Sequence, residues 1–226
     1  MPDRETALKK YREGRARTVY DRAREAPADD SRRQEILSKF IHFRQQCVAK
    51  LALKLGETVL DVGCGNGFSF ADLESGVGAE GRIIGIEQSP EQLAGARALI
   101  EQSGWQNIML INSAVEDAKI PVTADAALFS FTHDIMRTPR AVENVVKSLK
   151  PGGRIVAMGA KWAPWWVLAT NLRTWRGVRS FITTFEGFGR PWTHLERLVS
   201  SIDVESLIHP MPPVGHVGMY VAVARK

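Results

Sequence analysis

Three alternating glycines and two carboxylates carry the strongest chemical signal in the sequence. The stretch Val59–Gly67 reads VLDVGCGNG, so an apolar run leads directly into Gly63, Gly65 and Gly67. Glycines at such a turn let the backbone reverse sharply and approach a bound ligand closely. Glu87 follows Gly67 by 20 residues, a spacing typical of an acid that accepts hydrogen bonds from both hydroxyls of an adenosine ribose. The pattern predicts a ligand that contains a nucleoside.

The loop spacing and Asp61 narrow the class of ligand. The glycines follow G-x-G-x-G, whereas the dinucleotide fingerprint places its third glycine one residue later. Asp61 lies just before the first glycine, where a carboxylate would repel a pyrophosphate and attract an ammonium group. A nicotinamide-dependent dehydrogenase is therefore only a minor alternative. Cys64 has no histidine partner or metal-ligand spacing, so we interpret it as a small residue beside the ligand.

Alternating strands and helices must position this loop and its acidic partner. Short apolar runs predict strands at Thr58–Val62, Arg82–Glu87, Ile108–Asn112, Ala126–Phe131, Arg154–Met158, Val204–Ile208 and Gly218–Ala224. Helices are predicted between them at Phe68–Glu74, Pro90–Ser103 and Pro139–Leu149, and a turn at Lys150–Gly153. This alternation indicates a parallel α/β sheet with right-handed crossovers, which binds ligands at the carboxyl ends of its strands.

These features together resemble the class I S-adenosylmethionine-dependent methyltransferases of the seven-stranded Rossmann-like type. The resemblance covers about Leu55–Met158 and rests on several motifs in combination. The matching positions are Asp61 with the three glycines, the ribose-binding acid Glu87, the adenine loop Asn112–Asp117, the fourth strand Asp125–Phe131 and the turn Leu149–Gly153.

The resemblance implies the fold and its organisation. We expect an α/β domain over residues 55–226, with a Rossmann-like, mostly parallel seven-stranded sheet and helices on both faces. Residues 1–54 would add N-terminal helices, at about 4–25 and 31–54, that cover the site. A helical insert at about 160–203, after the fifth strand, would complete the cap.

The resemblance also implies S-adenosyl-L-methionine as cofactor and S-adenosyl-L-homocysteine as product. No metal is expected, because no Cys/His spacing in the sequence resembles a zinc site. The implied cofactor-binding residues are Asp61, Gly63, Cys64, Gly65, Gly67, Glu87, Gln88, Ala114, Val115, Glu116, Ser130 and Phe131. Ser113 departs from the pattern, because many relatives carry an aspartate there that meets the adenine amino group. Glu116 or Asp117 would substitute for it, together with the backbone of Ala114 and Val115.

The catalytic candidates follow from the chemistry of in-line methyl transfer. The enzyme must hold the acceptor in line with the methyl group, and a base is needed only if the acceptor arrives protonated. His133 comes just after the fourth strand and is the best base candidate, with Asp134 to orient it. The alternative is that His133 caps the following turn or packs against the cofactor. Tyr20 is expected to cover the methyl site, with plain packing as its alternative. Three other histidines are weaker candidates: His194, His209 and His216.

The segment 160–185 is rich in tryptophan and contains no acidic residue. On a helix, one stripe would hold Trp165, Leu168, Leu172 and Trp175. Three interpretations remain open: an aromatic wall for an apolar substrate, peripheral membrane contact through Trp162–Arg179, or packing against the N-terminal helices.

Composition excludes several other classes of protein. The chain has 226 residues, of which 44% are hydrophobic and 24% charged, as in an ordinary globular domain. Two cysteines give no disulfide framework, and no signal peptide is evident, so a cytoplasmic location is expected. The net charge of +5 arises in residues 1–50, with 13 basic and 8 acidic residues interspersed. Nucleic acid is not expected as a partner, because this excess is modest and the Asn/Asp-Pro-Pro-aromatic motif of base-methylating enzymes is absent.

The predicted function is methyl transfer from S-adenosylmethionine to a small or medium apolar organic substrate through an O, N or C acceptor. One alternative is a methyltransferase for a membrane quinone or lipid headgroup. An alternative of another class is a regulatory protein that binds S-adenosylmethionine without turnover. Substrate identity and oligomeric state are not predicted.

Overall fold

The computed structural model describes residues 42–179, 182–211 and 215–226. Tyr20 and the helix predicted at about 4–25 lie outside the described residues. Residues 42–49 are helical and lie inside the second predicted helix. The division into a cover over residues 1–54 and a domain over 55–226 stays a prediction.

Seven strands form one mostly parallel sheet in the order β3-β2-β1-β4-β5-β7-β6. The strands are β1 (Thr58–Val62), β2 (Arg82–Glu87), β3 (Ile108–Asn112), β4 (Ala124–Ser130), β5 (Leu149–Ala160), β6 (Ser201–Met211) and β7 (Gly215–Arg225). Strands β1 to β5 are parallel, whereas β7 is antiparallel to both β5 and β6. The chain order reverses between β1 and β4, which creates the crevice where such sheets bind ligands. The predicted fold class is confirmed.

Helices cover both faces of this sheet. They are α1 (42–49), α2 (Phe70–Val77), α3 (Pro90–Ser103), α4 (His133–Met136), α5 (Pro139–Lys147), α6 (Leu168–Val178) and α7 (Thr193–Glu196), with a 3₁₀ helix at Val115–Asp117. Helix α3 begins at Pro90, a position where no backbone N–H is needed. The side chain of the preceding Ser89 caps the helix, because it accepts a hydrogen bond from the N–H of Gln92. It ends at Gly104, which is left-handed.

Two hydrophobic clusters form the core, one on each face of the sheet. Val59 packs with α1, α2 and α3, and its neighbour Leu60 packs on the other side with α4 and α5. The period of two in a strand therefore puts Asp61 on the same face as Val59 and α1. The predicted insert contributes to the core as well, because Trp192 and Leu195 belong to the cluster around α5.

Several predicted boundaries differ from the structure. Strands β5, β6 and β7 extend beyond their predicted ends on both sides, and helix α5 ends two residues before Leu149. Phe131 lies outside β4, because its φ of 58° is incompatible with an extended strand. The turn predicted at Lys150–Gly153 is an irregular part of β5, where the register with β4 shifts and Gly152 takes a φ of 73°. Helix α2 begins two residues after Phe68 and continues to Val77, where Gly78 ends it.

Candidate functional site

The glycine loop leaves β1 and turns back toward β2. Gly63, Gly65 and Gly67 have φ values of 71°, 55° and 79°, a region that other residues rarely adopt. The N–H of Gly63 donates to the carbonyl of Ile86 at 2.8 Å, which closes the turn against β2. A Cβ atom on Gly63 would lie 2.7 Å from Thr132 Cγ2, so the loop also packs tightly against the segment after β4. The backbone of β1, β2 and β4 thus converges at this loop.

Glu87 ends β2 and joins the glycine loop. Its carboxylate accepts hydrogen bonds from the N–H of Gly65 at 3.2 Å and of Ser89 at 2.9 Å. Burial raises the pKa of Glu87, and these two donors oppose that shift. Each carboxylate oxygen keeps a further lone pair for a ligand. The structure therefore brings the predicted ribose acid and the predicted loop together.

Asp61 is a buried carboxylate that lacks a partner on one oxygen. The residue is 1% exposed, and its Oδ2 accepts no hydrogen bond from the described residues. Burial raises the pKa of Asp61 to about 7, Arg44 opposes the shift and Glu87 adds to it. A buried polar atom without a partner is costly, and in native proteins it usually marks a missing ligand or water.

Arg44 on α1 covers the same crevice and was missed by the sequence reasoning. Its Nε donates to Ser130 Oγ at 3.3 Å, and its guanidinium lies 5.4 Å from the ring centre of Phe68. Burial lowers the pKa of Arg44, and the charges of Asp61 and Asp72 oppose this. The guanidinium and the Asp61 carboxylate thus place opposite charges in one crevice.

Phe131 and Cys64 come just after the ends of β4 and β1, the two strands between which the crevice opens. The positive φ of Phe131 is strained for a side chain of this size, and such strain is characteristic of functional sites. Its ring centre lies 6.4 Å from that of Phe43 on α1. Cys64 is buried, which raises the pKa of its thiol and keeps it protonated. Its interpretation as a small neighbour of the ligand stays a prediction.

The loop after β3 holds the residues predicted to meet adenine. Val115 is buried in the core, so only its backbone is available to a ligand, whereas Ala114 and Glu116 are half-buried. The side chain of Asn144 donates to the carbonyl of Val115 at 2.7 Å and fixes the loop. Gln88 is exposed, and its carbonyl accepts a hydrogen bond from the amide of Asn112.

His133 and Asp134 lie at the end of β4 but face the segment 182–188. The His133 ring packs edge-on against Phe188 at 5.1 Å, and burial lowers its pKa. Neither ring nitrogen makes a hydrogen bond of normal geometry within the described residues. The Asp134 carboxylate accepts from the N–H of Thr183 at 3.0 Å. These contacts favour a role in holding this segment, and the catalytic role of both residues stays a prediction.

Comparison with known proteins identifies the family. A family model described as a methyltransferase domain matches residues 53–170, more than half of the chain. The chain belongs to this methyltransferase family. The predicted resemblance is confirmed, and S-adenosylmethionine is the cofactor that the family implies.

Relatives of this methyltransferase differ in the substrates that their names give. Protein-L-isoaspartate O-methyltransferase 1 of Arabidopsis thaliana is 36% identical over 120 residues, which are 51% of this chain and 52% of the relative. An arsenite methyltransferase of Halobacterium salinarum is 28% identical over 46% of this chain and 27% of its own length. The chain thus spans about half the length, or less, of these relatives, and the family does not define its substrate.

The solved structures share the fold. A SAM-dependent methyltransferase from Aquifex aeolicus superposes with a TM-score of 0.54 at 22% identity, over 80% of this chain and 88% of that one. Within the described residues, no helix of the methyltransferase is long and apolar enough to span a membrane. The same residues contain no group of three or more His, Cys, Asp or Glu side chains placed to hold a metal ion.

The tryptophans of the methyltransferase divide into two groups. Trp162 stacks on Phe185 at 5.3 Å and meets Phe188 edge-on at 4.9 Å, so it joins the cluster around His133. The predicted stripe of Trp165, Leu168, Leu172 and Trp175 is instead exposed. Packing of this stripe against the N-terminal helices, one of the three interpretations, stays a prediction, because the helix predicted at about 4–25 and the start of the second lie outside the described residues.

Proposed function

We propose that this methyltransferase binds S-adenosylmethionine in the crevice at the carboxyl ends of β1, β2 and β4, and methylates a small or medium apolar organic acceptor. The observation that carries the cofactor site is the buried carboxylate oxygen of Asp61, which has no hydrogen-bond partner among the described residues and lies beside the glycine loop and Glu87. An ammonium group would satisfy that oxygen and lower the cost of its burial.

The donor and acceptor groups of the crevice fit the three polar parts of the cofactor. The Glu87 carboxylate accepts from the ribose hydroxyls, and the Asp61 carboxylate accepts from the amino group. The Arg44 guanidinium donates to the amino-acid carboxylate. The backbone of Ala114 and Val115, with the side chain of Glu116, meets the adenine. This assignment pairs the ammonium group and the carboxylate of the ligand each with an opposite charge in the crevice.

When bound, the cofactor supplies a methyl group that its sulfonium charge already activates. The chain must then orient the acceptor and keep water away from it. The half-buried ring of Phe131, which packs against the buried Phe43 of α1, offers aromatic surface beside the crevice, and this supports an apolar acceptor. Burial lowers the pKa of His133, so its ring is neutral at pH 7 and could accept a proton as a base. Its packing against Phe188 favours the competing proposal that it positions segment 182–188.

The names of the relatives give two alternatives to an apolar organic substrate: arsenite and a protein. The arsenic of arsenite is a soft centre that binds thiolate ligands. Cys47 and Cys64 are both buried, and burial raises the pKa of each thiol and keeps it protonated, which disfavours arsenite as the substrate. A protein substrate is the stronger competitor, because the isoaspartate methyltransferase is 36% identical over its matched part, against 28% for the arsenite methyltransferase.

Competition for the crevice tests the proposed cofactor. We expect S-adenosylhomocysteine to bind in calorimetry and NADH to leave its dissociation constant unchanged. Displacement of S-adenosylhomocysteine by NADH would contradict the proposal, because the site would then accept a pyrophosphate next to Asp61.

Arg44 gives a prediction about the amino-acid end of the ligand. Arg44→Gln should weaken binding of S-adenosylhomocysteine by about 5- to 10-fold, because one partly exposed, charge-assisted interaction is lost. Binding of 5′-methylthioadenosine, which lacks the amino and carboxylate groups, should not change. Both dissociation constants can be measured by calorimetry, with Arg82→Gln on the exposed start of β2 as the control. Equal losses for the two ligands would show that Arg44 acts only through the packing of α1.

A further inference from the structure

Helix α6 presents its apolar side to solvent and its polar side to the protein. Leu168, Leu172 and Trp175 recur at helical spacing and are all exposed. Thr170 and Thr174, on the opposite side of the helix, are buried. A surface helix of a globular domain ordinarily shows the reverse arrangement. The orientation of α6 therefore leaves an apolar stripe without a partner among the described residues.

Polar anchors hold α6 in this orientation. Thr174 Oγ1 accepts a hydrogen bond from the N–H of Gly218 at 3.1 Å, in the buried contact with β7. The Asn171 side chain accepts from the N–H of Ala163 at 2.9 Å and donates to its carbonyl at 3.2 Å. Turning the leucines inward would break all three hydrogen bonds and bury their backbone partners unpaired. The exposed stripe is thus a built feature of the fold.

The stripe continues into the residues that precede α6. Together they form what we call the tryptophan face: Trp165, Trp166, Leu168, Leu172 and Trp175, each between 40% and 78% exposed. Three exposed arginines flank this face: Arg173, Arg176 and Arg179. The Arg179 guanidinium lies 4.8 Å from the ring centre of Trp175. Because residues 160–185 contain no acidic side chain, nothing on this segment neutralises these charges.

We propose that the tryptophan face docks on an anionic lipid bilayer. Indole rings favour the headgroup level, leucines enter the acyl boundary, and arginines pair with lipid phosphates. A second copy of this chain fits less well, because two such faces would oppose like charges with no acid between them. RNA fits less well too, because exposed leucines gain nothing from base stacking.

The proposal goes beyond the proposed function and does not depend on it. Helix α6 packs on β7 beside Gly218, whose carbonyl accepts a hydrogen bond from the N–H of Lys161 just past the end of β5. These contacts lie at the end of the sheet where the parallel strands have their carboxyl ends, and the glycine loop lies at the same end. A docked molecule would therefore turn its crevice toward the bilayer surface.

Sedimentation with vesicles tests the apolar part of the face. The full chain should sediment with vesicles of 70% phosphatidylcholine and 30% phosphatidylglycerol, and Leu168→Gln with Leu172→Gln should weaken this binding at least about tenfold. Leu55→Gln with Met109→Gln removes two equally large, exposed apolar side chains elsewhere and should leave binding unchanged. Brominated lipid should quench the tryptophan fluorescence of the wild type and of this control.

The charged part of the face is tested in the same assay. Arg173→Gln with Arg176→Gln should weaken binding to the anionic vesicles by about 30-fold and should not affect pure phosphatidylcholine vesicles. The matched control is Arg82→Gln with Arg97→Gln, two exposed arginines outside the face. Three results would overturn the proposal. The wild type would not sediment with the vesicles, or the leucine variant would bind them as tightly as the wild type does. The third is that the wild type forms dimers or binds RNA and the leucine variant does not.

Discussion

Replacing Glu87 by alanine should weaken binding of S-adenosylhomocysteine by about 5- to 150-fold, or about 1–3 kcal/mol. The variant removes the charged acceptor assigned to the ribose. It also leaves the N–H groups of Gly65 and Ser89 without their acceptor, so the loop itself should loosen. Calorimetry measures the change in binding, and thermal unfolding without ligand measures the change in the fold.

Two comparisons separate the ribose contact from the loop contact. Glu87→Gln keeps one acceptor oxygen for the loop and should lose less affinity than the alanine variant. 5′-Methylthioadenosine retains the ribose and should lose as much affinity as S-adenosylhomocysteine does. The control is Glu101→Ala on the exposed end of α3. An unchanged dissociation constant in Glu87→Ala would remove Glu87 from the ribose site.

Binding of S-adenosylhomocysteine should tighten by up to about tenfold per pH unit as the pH rises toward 7, and level off above it. Burial raises the pKa of Asp61 to about 7, so the free protein carries a proton there at lower pH. An ammonium ligand favours the ionised form and must displace that proton. Calorimetry in two buffers of different ionisation enthalpy should therefore detect proton release below pH 7.

Asp61→Asn should abolish this pH dependence and weaken binding most at pH 8, with little change at pH 5. Without ligand, a pKa raised on folding means that Asp61 costs stability as the pH rises from about 4 to 7. The asparagine variant should then unfold at a higher temperature than the wild type at pH 8. Asp203→Asn, on the exposed side of β6, is the control. A pH profile that persists in Asp61→Asn would assign it to another group, such as Glu87.

The sequence predicts the ends of a strand or helix correctly where those ends depend on residues close by in the chain. Strand β1 and helix α3 begin and end at the predicted residues, because an apolar run, a capping serine and a first-turn proline act locally. Strand β5 is longer than predicted, since it pairs with β4 on one side and β7 on the other. Such pairing depends on chain segments far apart in sequence.

The site likewise contains residues that local sequence patterns predict and residues whose position depends on distant segments of the chain. Asp61, the glycine loop and Glu87 meet because they follow the ends of adjacent parallel strands. Arg44 was missed, although it lies three and four residues before the buried Cys47 and Val48 and so shares the apolar face of α1. The exposure of the tryptophan face was also left open, since helical spacing cannot distinguish a stripe that faces the core from one that faces solvent.

Transfer of a labelled methyl group tests the central claim most directly. The protein would be incubated with S-adenosylmethionine that carries the label, together with the small-molecule extract and the lipid, protein and RNA fractions of the source organism. We predict label in organic-extractable small molecules, and Glu87→Ala should transfer about 5- to 150-fold less at cofactor concentrations well below the dissociation constants of both proteins. Label in protein or RNA instead, or binding of the cofactor with no transfer to any fraction, would contradict the proposed function.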